Sequence, residues 1–493
     1  MSTAQELRGL LRLRVLQLFA LVMLLAGVAW RSFQLKFSVL DLDIWWHLKV
    51  GDWIVQHFAV PHTGILSRTA ADRPWVAYSW GYEVMLSRAF AWFGLLGVGV
   101  FGTLLTVAVA FGVYWMTRRL SGRFWISWLL AAVTCSAFLF DMMPRPGFLS
   151  IVLFTVTLAL ILKAQRSGEV RTLYWLPAIF LCWANLHIQF IYGLFLVGLL
   201  LGVNLVQRVA VRLGMEIAIL APPTLPAGAL AAVFGACVTA TLAGPNSYHL
   251  YGVIANYSRA KVAYSMIVEL QALSFRAYSN YVELLLASAA FYMVGWQRRI
   301  NLFKLALLVI GSVVAFRTMR DAWFLCIPAA ACLADAPGED PDREVQETPV
   351  ELVGVFAMAA LAMVLFAREA EFTNRGLDRA ITGTFPVKAV NFLRRNPQPG
   401  PLYNTFDWGG FLMWYMPQYT VAIDGRNDLY GDEMDERFYR TQSGDLSYKT
   451  DPSLNESNLI FLRKTDGLVY SLNLDPNFQR IYEDELATIF VRR

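Results

Sequence analysis

Asp41 and Asp43 stand two residues apart in "DLDIWWHLKVGDWI", directly before Trp45, Trp46 and His47. Carboxylates at that spacing can take up a proton, share a hard divalent cation through their oxygens, or cap the first turn of a helix. A third carboxylate, Glu83, follows in "RPWVAYSWGYEVMLSRAF", beside Trp75 and Trp80. Further along, polar groups interrupt apolar runs. Arg145 lies between two prolines in "MMPRPGFLS", Asn185, His187 and Gln189 lie in "WANLHIQF", Asn246 and His249 in "GPNSYHLYG", and Arg317, Arg320 and Asp321 in "FRTMRDAWF". Each alone has a structural reading: Asp43 as a helix cap, Glu83 as an exposed helix residue, an arginine snorkelling to headgroups, a histidine satisfied between helices. Converging on one side of a bundle, they make a site for an anionic, lipid-linked substrate.

The elements that must position them are membrane spans. The chain has 493 residues, 57% hydrophobic and only 16% charged, with a mean hydropathy of +0.46. A soluble enzyme would carry about a quarter charged residues. Runs able to cross ~30 Å of hydrocarbon fall near 15–30, 95–116, 124–141, 147–163, 173–185, 188–206, 227–243, 281–296, 303–316, 319–334 and 350–367, about eleven spans. The expected fold is therefore an α-helical polytopic membrane protein. The Lys- and Arg-rich short loops, such as Arg118/Arg119/Arg123 and Arg298/Arg299/Lys304, mark the cytoplasmic side. That places the N-terminus inside, and the 31–94 loop and everything after 367 outside. "DLDIWWHLKVGDWI" then reads as a helix on the membrane surface with its tryptophans at headgroup depth.

Only twelve of the 37 Asp and Glu precede residue 335; the rest begin with "DAPGEDPDREVQETPVE", read as an inside hinge before the last span. All five cysteines fall in predicted spans without a C-x-x-C, so neither a disulfide frame nor a zinc site is indicated. Two domains are expected: 1–367, transmembrane, and 368–493, a small extracytoplasmic α/β domain. In the latter, "GPLYNTF", "YTVAIDG" and "NLIFLRK" read as strands, "WGGFLMWYM" as a helix and "FQRIYEDELATIFVRR" as a terminal strand pair. Asp407, Asp424 and Arg426 sit at the ends of predicted strands, where open α/β sheets place ligands; glycine-containing turns are the alternative reading. No phosphate-binding glycine motif and no basic patch supports nucleotide or nucleic-acid binding.

A span, a D-x-D at the start of a long outer loop, interfacial helices, many more spans and an outer C-terminal domain resemble the GT-C superfamily of membrane glycosyltransferases. More narrowly, "DIWWHLKVGDWI", "RPGFLS", "WANLH", "GPNSYHLYG" and "YNTFDWGGFLMW…VAIDGRNDLY" resemble a group of prokaryotic membrane proteins with that layout. The E-x-x-x-P-P segment of several GT-C relatives has no clear counterpart; "DRPWVAYSWGYE" stands in its place.

The resemblance implies transfer of a sugar from a polyprenyl-phosphate-linked donor to a cell-surface acceptor. Asp43 is then the general base, and Asp41 orients it or shares a divalent metal (Mg or Mn) with it. Arg145 and Arg320 would hold the donor phosphate bidentately, with His187 and Asn185 assisting. Trp46, His47, Glu83 and Asn246 are candidates to contact acceptor or sugar. The rival readings are a transporter or flippase for a lipid-linked sugar, for which no inverted repeat is found, and a non-catalytic polysaccharide assembly factor.

Overall fold

The computed structural model describes residues 2–215, 218–259, 267–335 and 346–493. Its residues cluster into two compact units, one of Met1–Leu35, Gly102–Gly244 and Glu269–Ala370, the other of Lys36–Phe101, Pro245–Val268 and Glu371–Arg493. All eleven stretches read as spans are largely helical. Among the described residues six helices are long and apolar enough to cross a bilayer: Leu11–Leu40, Leu95–Ser121, Phe124–Asp141, Gly147–Ser167, Phe190–Arg212 and Pro349–Glu369. The other five, Leu176–Leu186, Ala227–Thr241, Tyr278–Trp296, Leu302–Arg317 and Trp323–Ala334, are shorter or less apolar. The chain is an integral membrane protein.

In the first unit the helix ends are set by local chemistry. Gly168, in the left-handed region at φ 71°, closes Gly147–Ser167. Thr348 and Glu351 form a reciprocal capping box that starts Pro349–Glu369. Several of the basic residues near these span ends find carboxylate partners. Arg14 bonds Glu351 at 2.8 and 2.6 Å, Arg118 bonds Glu347 at 3.1 Å, and Arg166 and Lys304 share Asp335. These partners lie within the segment read as a hinge, at its described ends; its residues 336–345 lie outside the described residues.

The second unit carries a four-stranded mixed sheet in the order β1-β2-β4-β3. β1 (Leu402–Asn404) runs parallel to β2 (Leu459–Arg463), β4 (Ala487–Arg492) is antiparallel to β2, and β3 (Phe478–Glu483) forms the terminal hairpin with β4. "WGGFLMWYM" is helical over Gly409–Tyr415. The expected strand in "YTVAIDG" is not one. Its backbone finds partners outside a ladder: Ala422 N donates to Asn404 Oδ1, Ile423 O accepts from Asn404 Nδ2, and Val421 O accepts from Arg68 N.

"DLDIWWHLKVGDWI" does fold as a helix, Ile44–His57, and its first two tryptophans are buried in protein. Trp45 is fully buried, edge-on to Phe385, Phe411 and Tyr415, and Trp46 is buried beside it. The helix packs against Trp80–Phe93, so closely that a Cβ on Gly51 would lie 2.0 Å from the Glu83 carbonyl oxygen. Residues of the long loop thus build a core with residues of the C-terminal segment.

Candidate functional site

The Asp-x-Asp turn divides its two carboxylates between different tasks. Asp41 is buried, and its Oδ1 accepts the Asp43 backbone N–H at 3.1 Å, which shapes the turn. Asp43 precedes the helix but makes no side-chain cap to it. Its Oδ1 instead accepts the Trp46 indole N–H at 3.2 Å, and the residue is only half-buried. The same oxygen faces the backbone of "IDGR": a Cβ built on Gly425 would sit 2.2 Å from Asp43 Oδ1 and 3.2 Å from Trp46 Nε1. Gly410 meets the turn similarly, its would-be Cβ 3.2 Å from both Leu42 O and Trp46 N. The glycines of "DWGG" and "IDGR" therefore let the C-terminal segment reach the Asp-x-Asp turn at backbone distance.

Next to Trp46 the ring of His47 lies tilted at 3.5 Å between centroids, and His47 Nδ1 lies 3.1 Å from Glu83 Oε1. Glu83 is 1% exposed rather than a surface residue, and its Oε2 has no hydrogen-bond partner. Burial pushes its pKa up to about 8, with the Arg426 charge pulling down and Asp428 pushing up. Glu83 is neutral below that pH, the form that a dry site favours.

Asp424 and Arg426 form a buried fork-to-fork pair. Arg426 Nε and Nη2 donate to the two Asp424 oxygens at 2.8 and 2.7 Å, Tyr430 Oη donates at 2.7 Å, and the Arg426 guanidinium lies 4.7 Å from the centre of the Trp75 ring. Burial works against the Arg426 charge, and Asp424 more than offsets it, so the pKa is raised. Nη1 donates to Ile65 O, tying the loop to this segment. Asp428 accepts the Trp75 indole N–H at 2.9 Å, and burial pushes its pKa up to about 6. Asp424 and Arg426 thus satisfy each other and act as a framework under Asp43.

The remaining candidates are distributed. Asp407 forms a half-exposed pair with Arg463 at 2.8 Å, after β1 and at the end of β2. Asn246 is buried, its Nδ2 donating to Ala77 O while its Oδ1 has no partner. In the other unit, Asn185 Nδ2 bonds the carbonyls of Leu181 and Ala243. His187 Nδ1 meets Ser150 Oγ at 2.9 Å, and Ser150 also accepts the Trp183 indole N–H at 2.8 Å. The Pro-Arg-Pro turn adjoins this network, since a Cβ on Gly147 would lie 3.4 Å from Gln189 Oε1 and 3.9 Å from His187 Cε1. Arg145 is held by Glu269 at 2.9 Å, and both are partly exposed. Arg320 lies on the short Met319–Asp321 turn, where Asp321 Oδ2 accepts the Thr318 hydroxyl at 2.9 Å.

Among the described residues no group of three or more His, Cys, Asp or Glu is placed to hold a metal ion. An ion shared by Asp41 and Asp43 would draw its other ligands from backbone, water or substrate oxygens.

No family model matches the chain, and no curated protein matches it. Among solved structures it is similar to the crystal structure of ArnT from Cupriavidus metallidurans bound to undecaprenyl phosphate. The two are 12% identical with a TM-score of 0.45, over 95% of this chain and 97% of that one. Likeness at that level carries no residue role from one chain to the other.

Four contributors escaped the sequence reading. Tyr430 and Asp428 lie in "DGRNDLY", where Asp424, Arg426, Asp428 and Tyr430 recur at every second position, a visible signal of one polar cluster. Ser150 and Glu269 carry no such signal; only folding brings them to His187 and Arg145.

Proposed function

We propose that the protein is a GT-C type glycosyltransferase that moves a sugar from a polyprenyl-phosphate-linked donor to a cell-surface acceptor on the outer face of the membrane. The observation that carries this reading is the division of labour in the Asp-x-Asp turn. Asp41 accepts a backbone N–H that shapes the turn, while Asp43 accepts the Trp46 indole N–H and stays partly accessible. A carboxylate fixed in that way can receive a proton from an acceptor hydroxyl or amine as it attacks. The donor phosphate is already a good leaving group and needs charge neutralisation. Arg145 and Arg320 are the guanidiniums we assign to that, assisted by His187 and Asn185.

Trp46, His47 and Glu83 line the turn behind the base, and Asn246 offers an unpaired amide oxygen for sugar or acceptor. The test is transfer from a series of polyprenyl-phosphate sugars by purified protein in detergent. Turnover by wild type with at least one donor, and its loss in Asp43→Asn protein that still folds, supports the reading; folded wild type inactive across the series overturns it.

A further inference from the structure

A groove of about 430 Å³ runs between the first helix and the helix that begins at Phe124. Gly27 and Val28 form one wall, Trp128, Ala132 and Cys135 the other, with Phe140 beyond. Trp128 Nε1 donates to Ala20 O at 2.9 Å, which joins the two helices below the groove. From Met23 to Arg31 the first helix rises ~12 Å at 1.5 Å per residue, close to the ~15 Å depth of one leaflet's hydrocarbon. The groove widens at Gly27, where a Cβ would meet nothing within 4 Å.

Arg31 is its one charged lining residue, exposed, and bonded to no other described residue. An unpaired guanidinium at the end of an apolar trough one leaflet deep is complementary to one kind of molecule. We propose that this groove binds an anionic phospholipid, one acyl chain along Gly27 and Ala132 and the phosphate on Arg31. A guanidinium takes two phosphate oxygens at once, and the net negative headgroup adds attraction that a zwitterionic one lacks. The trough is too short to hold a long polyprenyl chain, and its residues have no part in the proposed transfer chemistry.

Native mass spectrometry of the full-length protein, with phosphatidylglycerol or phosphatidylethanolamine added at equal concentration, tests this. One retained phosphatidylglycerol, at least fivefold above phosphatidylethanolamine, is expected for wild type. Arg31→Gln should remove the preference. Gly27→Leu should remove retention, because leucine fills the trough while favouring the helix. Matching melting temperatures show that both variants fold. Equal retention of the two lipids by wild type, or wild-type retention by folded Gly27→Leu, overturns the proposal; so does displacement of phosphatidylglycerol by equimolar polyprenyl phosphate.

Discussion

Asp43 and Gly425 come from opposite ends of the chain and meet so closely that residue 425 has no room for a side chain: a Cβ there would lie 2.2 Å from the Asp43 carboxylate. Gly425→Ala should therefore displace the Asp43 side chain while leaving the buried Asp424–Arg426 pair in place. Misplacing a reacting group by about 1 Å can cost on the order of 10²-fold. We expect transfer to fall roughly tenfold or more, read as kcat with an unchanged melting temperature. Wild-type kcat in Gly425→Ala would show that this contact does not set the geometry of Asp43.

Asp43→Asn keeps the shape and an acceptor oxygen for Trp46 but removes the basic lone pair and the charge. A general base contributes ~10²–10⁴-fold, so turnover should drop by at least ~10². Asp41→Asn leaves an oxygen for the Asp43 amide and should hurt less. A variant Asp43→Asn keeping more than about a tenth of the rate sinks the assignment.

Glu83 gives a pH dependence of definite sign. Its pKa of about 8 in the folded protein lies above its ordinary value of 4.5, so the folded state holds the extra proton between those values. Stability is fully present below about 4.5, declines as pH rises towards 8 and levels off above it. Asp435, pushed up to about 8 by burial and neighbouring Asp432, adds to the same slope. At ~1.4 kcal/mol per pKa unit, Glu83 alone accounts for a few kcal/mol at most. Melting temperatures taken from about pH 5 to pH 8 should fall in wild type and fall less in Glu83→Gln; parallel curves would show that Glu83 does not titrate in that window.

The Arg145–Glu269 pair sets up a competition. If Arg145 holds the donor phosphate, Glu269 must release it, so Glu269→Gln should tighten apparent donor affinity. Arg145→Lys, which loses the bidentate fork, should weaken it several-fold. Saturation curves in donor at fixed acceptor decide the matter, and unchanged values in both variants would place the phosphate elsewhere.

Removing one half of a buried ion pair costs ~3–5 kcal/mol. Asp424→Asn, which strips the countercharge from a fully buried Arg426, should accordingly lower the melting temperature and the yield of folded protein. A variant as stable as wild type would mean that the pair is dispensable to the core.

Much of this was legible beforehand, and the exceptions have physical causes. β1, β2 and the terminal hairpin were visible in their β-branched and aromatic runs, and the Asp-x-Asp turn in its spacing. "YTVAIDG" has the composition of a strand, but the side chain of Asn404 supplies the hydrogen bonds that a neighbouring strand would have supplied. Trp45 and Trp46 occupy the same helical positions whether their helix lies on a membrane or against protein; periodicity cannot tell the two apart, and Phe385, Phe411 and Tyr415 decide it. Glu83 read as exposed because nothing local reveals that Gly51 brings another helix over it.

The core around Trp45 also imposes an order on biosynthesis. The ribosome makes Trp45 early and Phe411 late, and at ~5–20 residues per second tens of seconds separate them. Throughout that interval the rings of Phe385, Phe411 and Tyr415 that cover Trp45 are not yet all made. A truncation that removes the last segment leaves out those rings, and the chain it leaves should be cut by proteases more readily than the full-length protein.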